Sequence, residues 1–262
     1  MRLFDAHLHI IDPRFSLKAS RGYLPPPFPL EDYLALAQPL GVTGGAVVSG
    51  SFQGLDLSYL EDALARLGPG FVGVAQLPLD TPAAEIRRLD GIGIRAIRFN
   101  LHRGVQGQRE TDLAGMLALA RRAHLAAGWH AEVYLDAAEV PRLGTWLDEL
   151  PAVCIDHLGL SRAGLDHLLR LVGRGAWVKA SGFGRLDFHP GTAVAMLVQA
   201  GPTRVLWGSD LPGTRCPRPF QPSDLDLIAC ALIEPEPIRR VLWDNALNLY
   251  HPPGLRPLPP GP

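Results

Sequence analysis

Short apolar runs recur along the chain, and most are followed by a segment with apolar residues every three to four positions. Runs at 2–9, 44–50, 71–76, 94–100, 129–135, 153–157, 176–181 and 204–210 predict eight strands. Segments at 30–38, 57–67, 111–127, 138–149, 161–172, 190–200, 223–232 and 235–249 predict helices. Thr81-Pro82 predicts one more helix start, with Thr81 as cap and Pro82 in the first turn. Strand–helix alternation implies parallel pairing with right-handed crossovers. Eight such units in 262 residues predict an α/β fold, a (β/α)8 TIM barrel, which takes ~250 residues. The alternative is an open doubly wound sheet. It lacks its phosphate loop here, because Gly41, Gly44 and Gly45 precede a strand instead of opening a helix.

No linker splits the chain, so 1–250 reads as one domain and 251–262 as a Pro/Gly-rich tail. Between the first strand and the first helix lies a long irregular stretch, Ile11 to Pro29, with three consecutive prolines. A loop of that length in a compact domain is usually functional or disordered, and it is expected to cover the site as a flap.

Composition narrows the class. The net charge of -1 argues against a nucleic-acid footprint, which needs a clustered basic surface. No apolar run approaches the ~18 residues of a membrane span, and no signal peptide is visible. Cys154, Cys216 and Cys230 are sparse and irregular, so they predict reduced thiols and a cytoplasmic protein.

In such a barrel the chemistry sits at the C-terminal ends of the strands. Those positions hold His7 and His9, Ser49 and Ser51, Gln76, Arg98 and Asn100, Glu132 and Tyr134, Asp156 and His157, Lys179 and Ser181, and Asp210. Alternation along a strand puts Asp5, His7 and His9 on one face. Imidazoles there suit metal binding or acid–base work. Bland roles are expected for several others. Lys179 can pair with an inward carboxylate such as Glu132, because a buried charge needs a partner. Asp156 is expected to face outward and cap a helix, and His130 to be a core histidine. His124, His167 and His251 are expected in solvent, and His102 can face either way. Asp210, after Leu-Trp-Gly-Ser, is placed to ligate a metal or take a proton from water.

The motifs DAHLHI, GIRAIRFN, IDHLG, WVKASGFGR and WGSD, in this order, resemble the amidohydrolase superfamily, and within it the lactone-hydrolase branch. The stretch YLPPPFPLEDYLALAQPLGV resembles that branch's first loop and helix. The resemblance implies a hydrolase that opens a small carboxylated lactone. It implies that Asp210 activates the attacking water and that His7, His9 and His157 surround the scissile carbonyl. Arg98, Arg103 and Arg185 would grip substrate carboxylates, and Ser51 and Tyr134 would touch substrate. Metal-rich members carry a histidine at the end of strand five, where this chain has Glu132 and Tyr134. No cofactor is therefore favoured. One divalent cation such as zinc, held by His7, His9, His157 and Asp210, is the alternative, in a metal-dependent amidohydrolase or decarboxylase. A non-catalytic binding barrel is the remaining rival. Related chains often continue Trp-Pro-His after WGSD; here Leu211-Pro212-Gly213 follows, which leaves the substrate open. The expected partner is a small carboxylated molecule, with neither nucleic acid nor membrane, and a homo-oligomer is left open.

Overall fold

The structure, a computed structural model describing residues 2–102 and 112–256, is a (β/α)8 barrel. Its strands are β1 (Leu3–Leu8), β2 (Val42–Val48), β3 (Phe71–Ala75), β4 (Ile94–Asn100), β5 (His130–Tyr134), β6 (Val153–Ile155), β7 (Trp177–Ala180) and β8 (Val205–Trp207). Each pairs in parallel with the next. The ring closes where β1 meets the segment after β8. Leu8 bridges Leu211, Asp210 N donates to His7 O, and His9 N donates to Leu211 O, both at 2.8 Å.

The helices are α1 (Leu30–Ala37), α2 (Ser58–Leu67), α3 (Ala83–Gly91), α4 (Leu113–Ala127), α5 (Val140–Glu149), α6 (Leu165–Gly173), α7 (Pro190–Ala200), α8 (Ser223–Leu232), α9 (Pro235–Arg239) and α10 (Asn245–Tyr250). Two boundaries differ from expectation. Pro82 is the residue before α3, in extended conformation, and Thr81 Oγ1 donates to Pro78 O instead of capping the helix. The predicted helix at 235–249 is α9 and α10 joined by a π-helical turn, Arg240–Asp244. None of the described helices is long and apolar enough to cross a membrane.

Two apolar layers result. The outer one lies between sheet and helices. Leu168, Leu171 and Val172 of α6 serve it at helical spacing. The inner one fills the barrel with Phe4, Ala6, Val48, Val74, Ala96 and Leu206, and Trp243, Leu247 and Tyr250 close it from below.

The strand that carries both histidines breaks the expected alternation. A register shift falls between Asp5 and Leu8. Phe4 and Ala6 belong to the inner layer, while Leu3 and Leu8 belong to the outer one. Asp5 consequently faces away from the two imidazoles. Its carboxylate accepts from Ser209 N and Oγ (2.8 and 2.6 Å), from Tyr33 OH of α1 (3.2 Å) and from His7 N (3.2 Å). A bulge of this kind re-aims a side chain, and here it turns His7 inward. Burial raises the Asp5 pKa to about 6 against those four donors.

The segment after β1 is anchored by an antiparallel bridge between Ile11 and Phe28. Further along, Ser20 O accepts from Arg215 Nη2, and the Arg215 guanidinium lies 4.5 Å over the Tyr23 ring. The long loop thus leans on the segment that follows β8.

Candidate active site

The C-terminal ends of the strands bring together the histidines and the aspartate. His7 and His9 come from β1 and its exit, His157 from the turn after β6, and Asp210 from the segment after β8. The two late residues sit where the backbone is left-handed, His157 at φ 51° and Asp210 at φ 62°. Such a conformation turns the chain sharply just after the short strands β6 and β8. It also aims the side chain across the barrel mouth.

The Nε2 atoms of His7, His9 and His157 each lie 3.9 Å from one oxygen of Asp210, Oδ1. All four residues are buried. At 3.9 Å these are not hydrogen bonds. Among the described residues, His7 Nε2 and Asp210 Oδ1 have no hydrogen-bond partner.

The far ring nitrogens decide what the near ones can do. His9 Nδ1 donates to Val48 O (2.7 Å), since a carbonyl only accepts. Neutral His9 therefore presents a lone pair at Nε2. His157 Nδ1 lies 3.0 Å from Ser181 Oγ, a group that donates or accepts. His7 Nδ1 lies 3.3 Å from both Asp156 Oδ1 and Lys179 Nζ. Bonded to the carboxylate it leaves a lone pair at Nε2; bonded to the ammonium it leaves Nε2–H. Burial, the largest cause in each case, lowers the pKa of all three imidazoles, His9 and His157 furthest. The site thus holds neutral imidazoles against one carboxylate.

A buried ionic layer lies beneath. Asp156 Oδ2 accepts from Arg98 Nη2 (3.1 Å), and Oδ1 lies 3.5 Å from Lys179 Nζ. Lys179 also pairs with Glu132, as its position suggested, and Glu132 accepts from Tyr250 OH of α10. His130 Nε2 lies 3.4 Å from Glu132 Oε1 within this layer, a core histidine as expected. Asp156 corrects the expectation of an outward helix cap. It lies fully inside the barrel and is balanced by Arg98 and Lys179, with His7 Nδ1 3.3 Å from Oδ1. Burial pushes the Asp156 and Glu132 carboxyls up, but the neighbouring positive groups hold both below their usual range. Burial likewise works against the Lys179 ammonium, and Glu132 and Asp156 hold its pKa above the usual value.

Above the imidazoles opens a cleft of about 390 Å³, lined among others by His9, Arg98, Tyr134, His157, Arg185 and Arg215. A larger hollow of about 630 Å³ lies beside Leu101 and Arg142. It contains none of the converging groups, so the smaller cleft is the site. Ser51, Phe52, Asn100 and Thr214 complete the walls. Arg98 reaches the cleft already engaged: Nη1 donates to Ser49 O (2.6 Å), and its guanidinium lies 5.6 Å from the Tyr134 ring. Arg185 is engaged too, with Nε 2.7 Å from Asp210 Oδ2. Arg103 lies outside the described residues. Arg215 and Thr214 were not singled out in the sequence. Their signal was position alone, in the segment following the eighth strand.

Two sets of ligand-type atoms cluster closely. One is His7, Glu132 and Asp156, and the Lys179 ammonium already serves all three. The other is His7, His157 and Asp210, with His9 at the same distance from Oδ1. Three neutral imidazole nitrogens and a carboxylate oxygen suit a zinc-like cation. The orphaned His7 Nε2 and Asp210 Oδ1 fit that reading.

Gly208 makes room for this arrangement. A Cβ there would lie 2.7 Å from His7 N and 2.8 Å from His7 Cβ. Gly208→Ala is expected to displace His7 and lower kcat roughly 10²-fold, the effect of ~1 Å misplacement. Steady-state kinetics beside a thermal melt will separate this from unfolding; unchanged kcat would refute the packing argument.

The sequence profile described as Amidohydrolase matches residues 4–251. A 4-sulfomuconolactone hydrolase of Rhizobium radiobacter is 29% identical over 94% of this chain and 89% of its own length. A 2-pyrone-4,6-dicarboxylate hydrolase of Comamonas testosteroni is 27% identical over 95% and 90%. A Pseudomonas putida crystal structure, provisionally named 2-pyrone-4,6-dicarboxylic acid hydrolase, superposes with a TM-score of 0.78 at 29% identity, covering 95% of this chain and 97% of that one.

Proposed function

The chain belongs to the amidohydrolase family, and from that premise we propose that it hydrolyses a small carboxylated lactone. The observation that carries the proposal is the convergence of three imidazoles on one oxygen of Asp210 at the floor of an arginine-lined cleft. The curated relatives, named for the hydrolysis of small anionic lactones, support it.

Asp210 Oδ1 takes a proton from water as the water oxygen attacks the carbonyl carbon. The ring C–O bond then breaks, and the departing oxygen takes the proton back from Asp210. His157 and His7, whose Nδ1 atoms can accept from Ser181 and Lys179, are the imidazoles able to turn Nε2–H toward the carbonyl oxygen. A donor aimed at the developing oxyanion is worth roughly 3 kcal/mol. Arg98, at the cleft wall, supplies positive charge for a substrate carboxylate. Ser51 and Tyr134 complete the substrate's surroundings.

A second reading rests on the fixed lone pair of His9. The same four residues, His7, His9, His157 and Asp210, would hold one divalent cation. When bound, such an ion supplies Lewis-acid polarisation of the carbonyl. The three unpaired thiols suit a reducing compartment, and we place the protein in the cytoplasm.

One experiment tests both readings. Carboxylated five- and six-membered lactones are offered to untreated, chelator-treated and zinc- or manganese-supplemented protein, and acid release is followed. Turnover is expected with carboxylated lactones, and much less with uncharged ones. Binding without turnover would return the protein to the non-catalytic class. Activity lost to the chelator and restored by one ion per chain would assign the imidazoles as ligands.

A further inference from the structure

We infer that Arg185 is a positioning residue for Asp210: it engages one carboxylate oxygen and so aims the other at the imidazoles, instead of gripping a substrate carboxylate. The inference rests on the reading of Asp210 as the reacting carboxylate.

Arg185 Nε and Nη2 both lie 2.7 Å from Asp210 Oδ2, and Nη2 also donates to Thr214 O at 2.9 Å. The side chain is 8% exposed. A carboxylate free to turn about its Cβ–Cγ bond presents either oxygen to the reaction centre. With a guanidinium on Oδ2, only Oδ1 faces His7, His9 and His157. Charge-assisted contacts of this geometry are strong and directional, and Arg is better suited to them than Lys.

The Gly-Phe-Gly-Arg loop is shaped for this contact. Gly182 is left-handed at φ +60°, and a Cβ there would sit 2.8 Å from His157 Nδ1 and 3.1 Å from Arg185 Nε. At Gly184 a Cβ would fall 1.9 Å from Arg218 O, on the segment after β8. The loops after β7 and β8 therefore close on each other around the Arg185–Asp210 pair. A side chain at Gly184 would prise them apart, and one at Gly182 would press on Arg185 and His157.

The test compares wild type with Arg185→Ala, Arg185→Lys and Gly182→Ala, on a carboxylated lactone and on its uncharged counterpart. Misaiming the carboxylate is expected to lower kcat roughly 10²-fold in Arg185→Ala, equally for both lactones, with KM within about threefold. Arg185→Lys is expected to recover part of the loss, as is guanidinium added to Arg185→Ala. Gly182→Ala, which keeps the charge but crowds it, is expected to lose kcat in the same direction. A rise in KM of tenfold or more confined to the carboxylated lactone, with kcat kept, would overturn the inference. A crystal structure of Arg185→Ala reads the same point without substrate. Asp210 is expected to turn away from the imidazoles, and an unmoved carboxylate would overturn the inference. A wild type inert to every lactone would instead sink the proposed function, and the crystal structure would still decide the role of Arg185.

Discussion

Asp210→Asn is expected to lower kcat by at least ~10³-fold and leave the barrel standing. A positioned general base contributes about 10² to 10⁴, and an amide cannot accept the proton from water. The fold should survive for two reasons. Position 210 is left-handed at φ 62°, a region that Asn tolerates as well as Asp. The backbone bond from residue 210 N to His7 O, which helps close the ring, does not depend on the side chain. Kinetics on a hydrolysed lactone, beside circular dichroism and a thermal melt, will read both halves. Activity within tenfold of wild type would remove Asp210 from the reaction.

The second large effect is on stability. Lys179 is the buried cation between Glu132 and Asp156, and all three are fully inside the barrel. Lys179→Met removes the charge at similar volume and leaves two carboxylates with too little compensation. Breaking a buried pair from one side costs roughly 3–5 kcal/mol, a fall in Tm of about 6–20 °C for a chain of this size. Adding Glu132→Gln to that variant is expected to recover part of the loss. A cost below about 1 kcal/mol in a denaturant titration would refute the assignment. The pH dependence has a definite sign. Both carboxyls are held below their ordinary values, so their contribution is present above the unfolded pKa and is lost as acid reaches the lower folded value. Lys179 is held above its ordinary value, so its contribution is complete below the unfolded pKa and is lost only as alkali reaches the higher folded value. The layer is therefore at full strength across the neutral range.

The barrel was legible because its strands are short apolar runs set at regular intervals; β4 begins and ends where expected. The histidines and Asp210 were legible because polar groups at so many strand ends point to one mouth. The failures have physical causes. Strict alternation put Asp5 beside His7, but a bulge, which leaves no mark in the apolar pattern, separates them. Asp156 was expected outside as a helix cap, although Cys154 two residues earlier lies on the inner face, and burying a carboxylate is costly. The cost falls only when Arg98 and Lys179, from distant strands, are counted as partners. Arg185 was visible as a motif residue, but its attachment to Asp210 depends on how two loops interlock. Arg215 reaches the cleft through a left-handed turn at φ 58°, which a non-glycine residue does not announce.

Tyr250 OH lies 3.4 Å from Ala6 O, across a sequence separation of 244 residues, and it also donates to Glu132. That contact has a consequence for synthesis on the ribosome. His7 and His9 are translated well before α10, yet the layer that supports them is not complete until α10 emerges. Until then Glu132 lacks its Tyr250 partner, and the inner layer lacks Leu247 and Tyr250 beneath it. Catalytic competence therefore arrives late and all at once, and a fragment ending before α10 should bring the histidines but no working site.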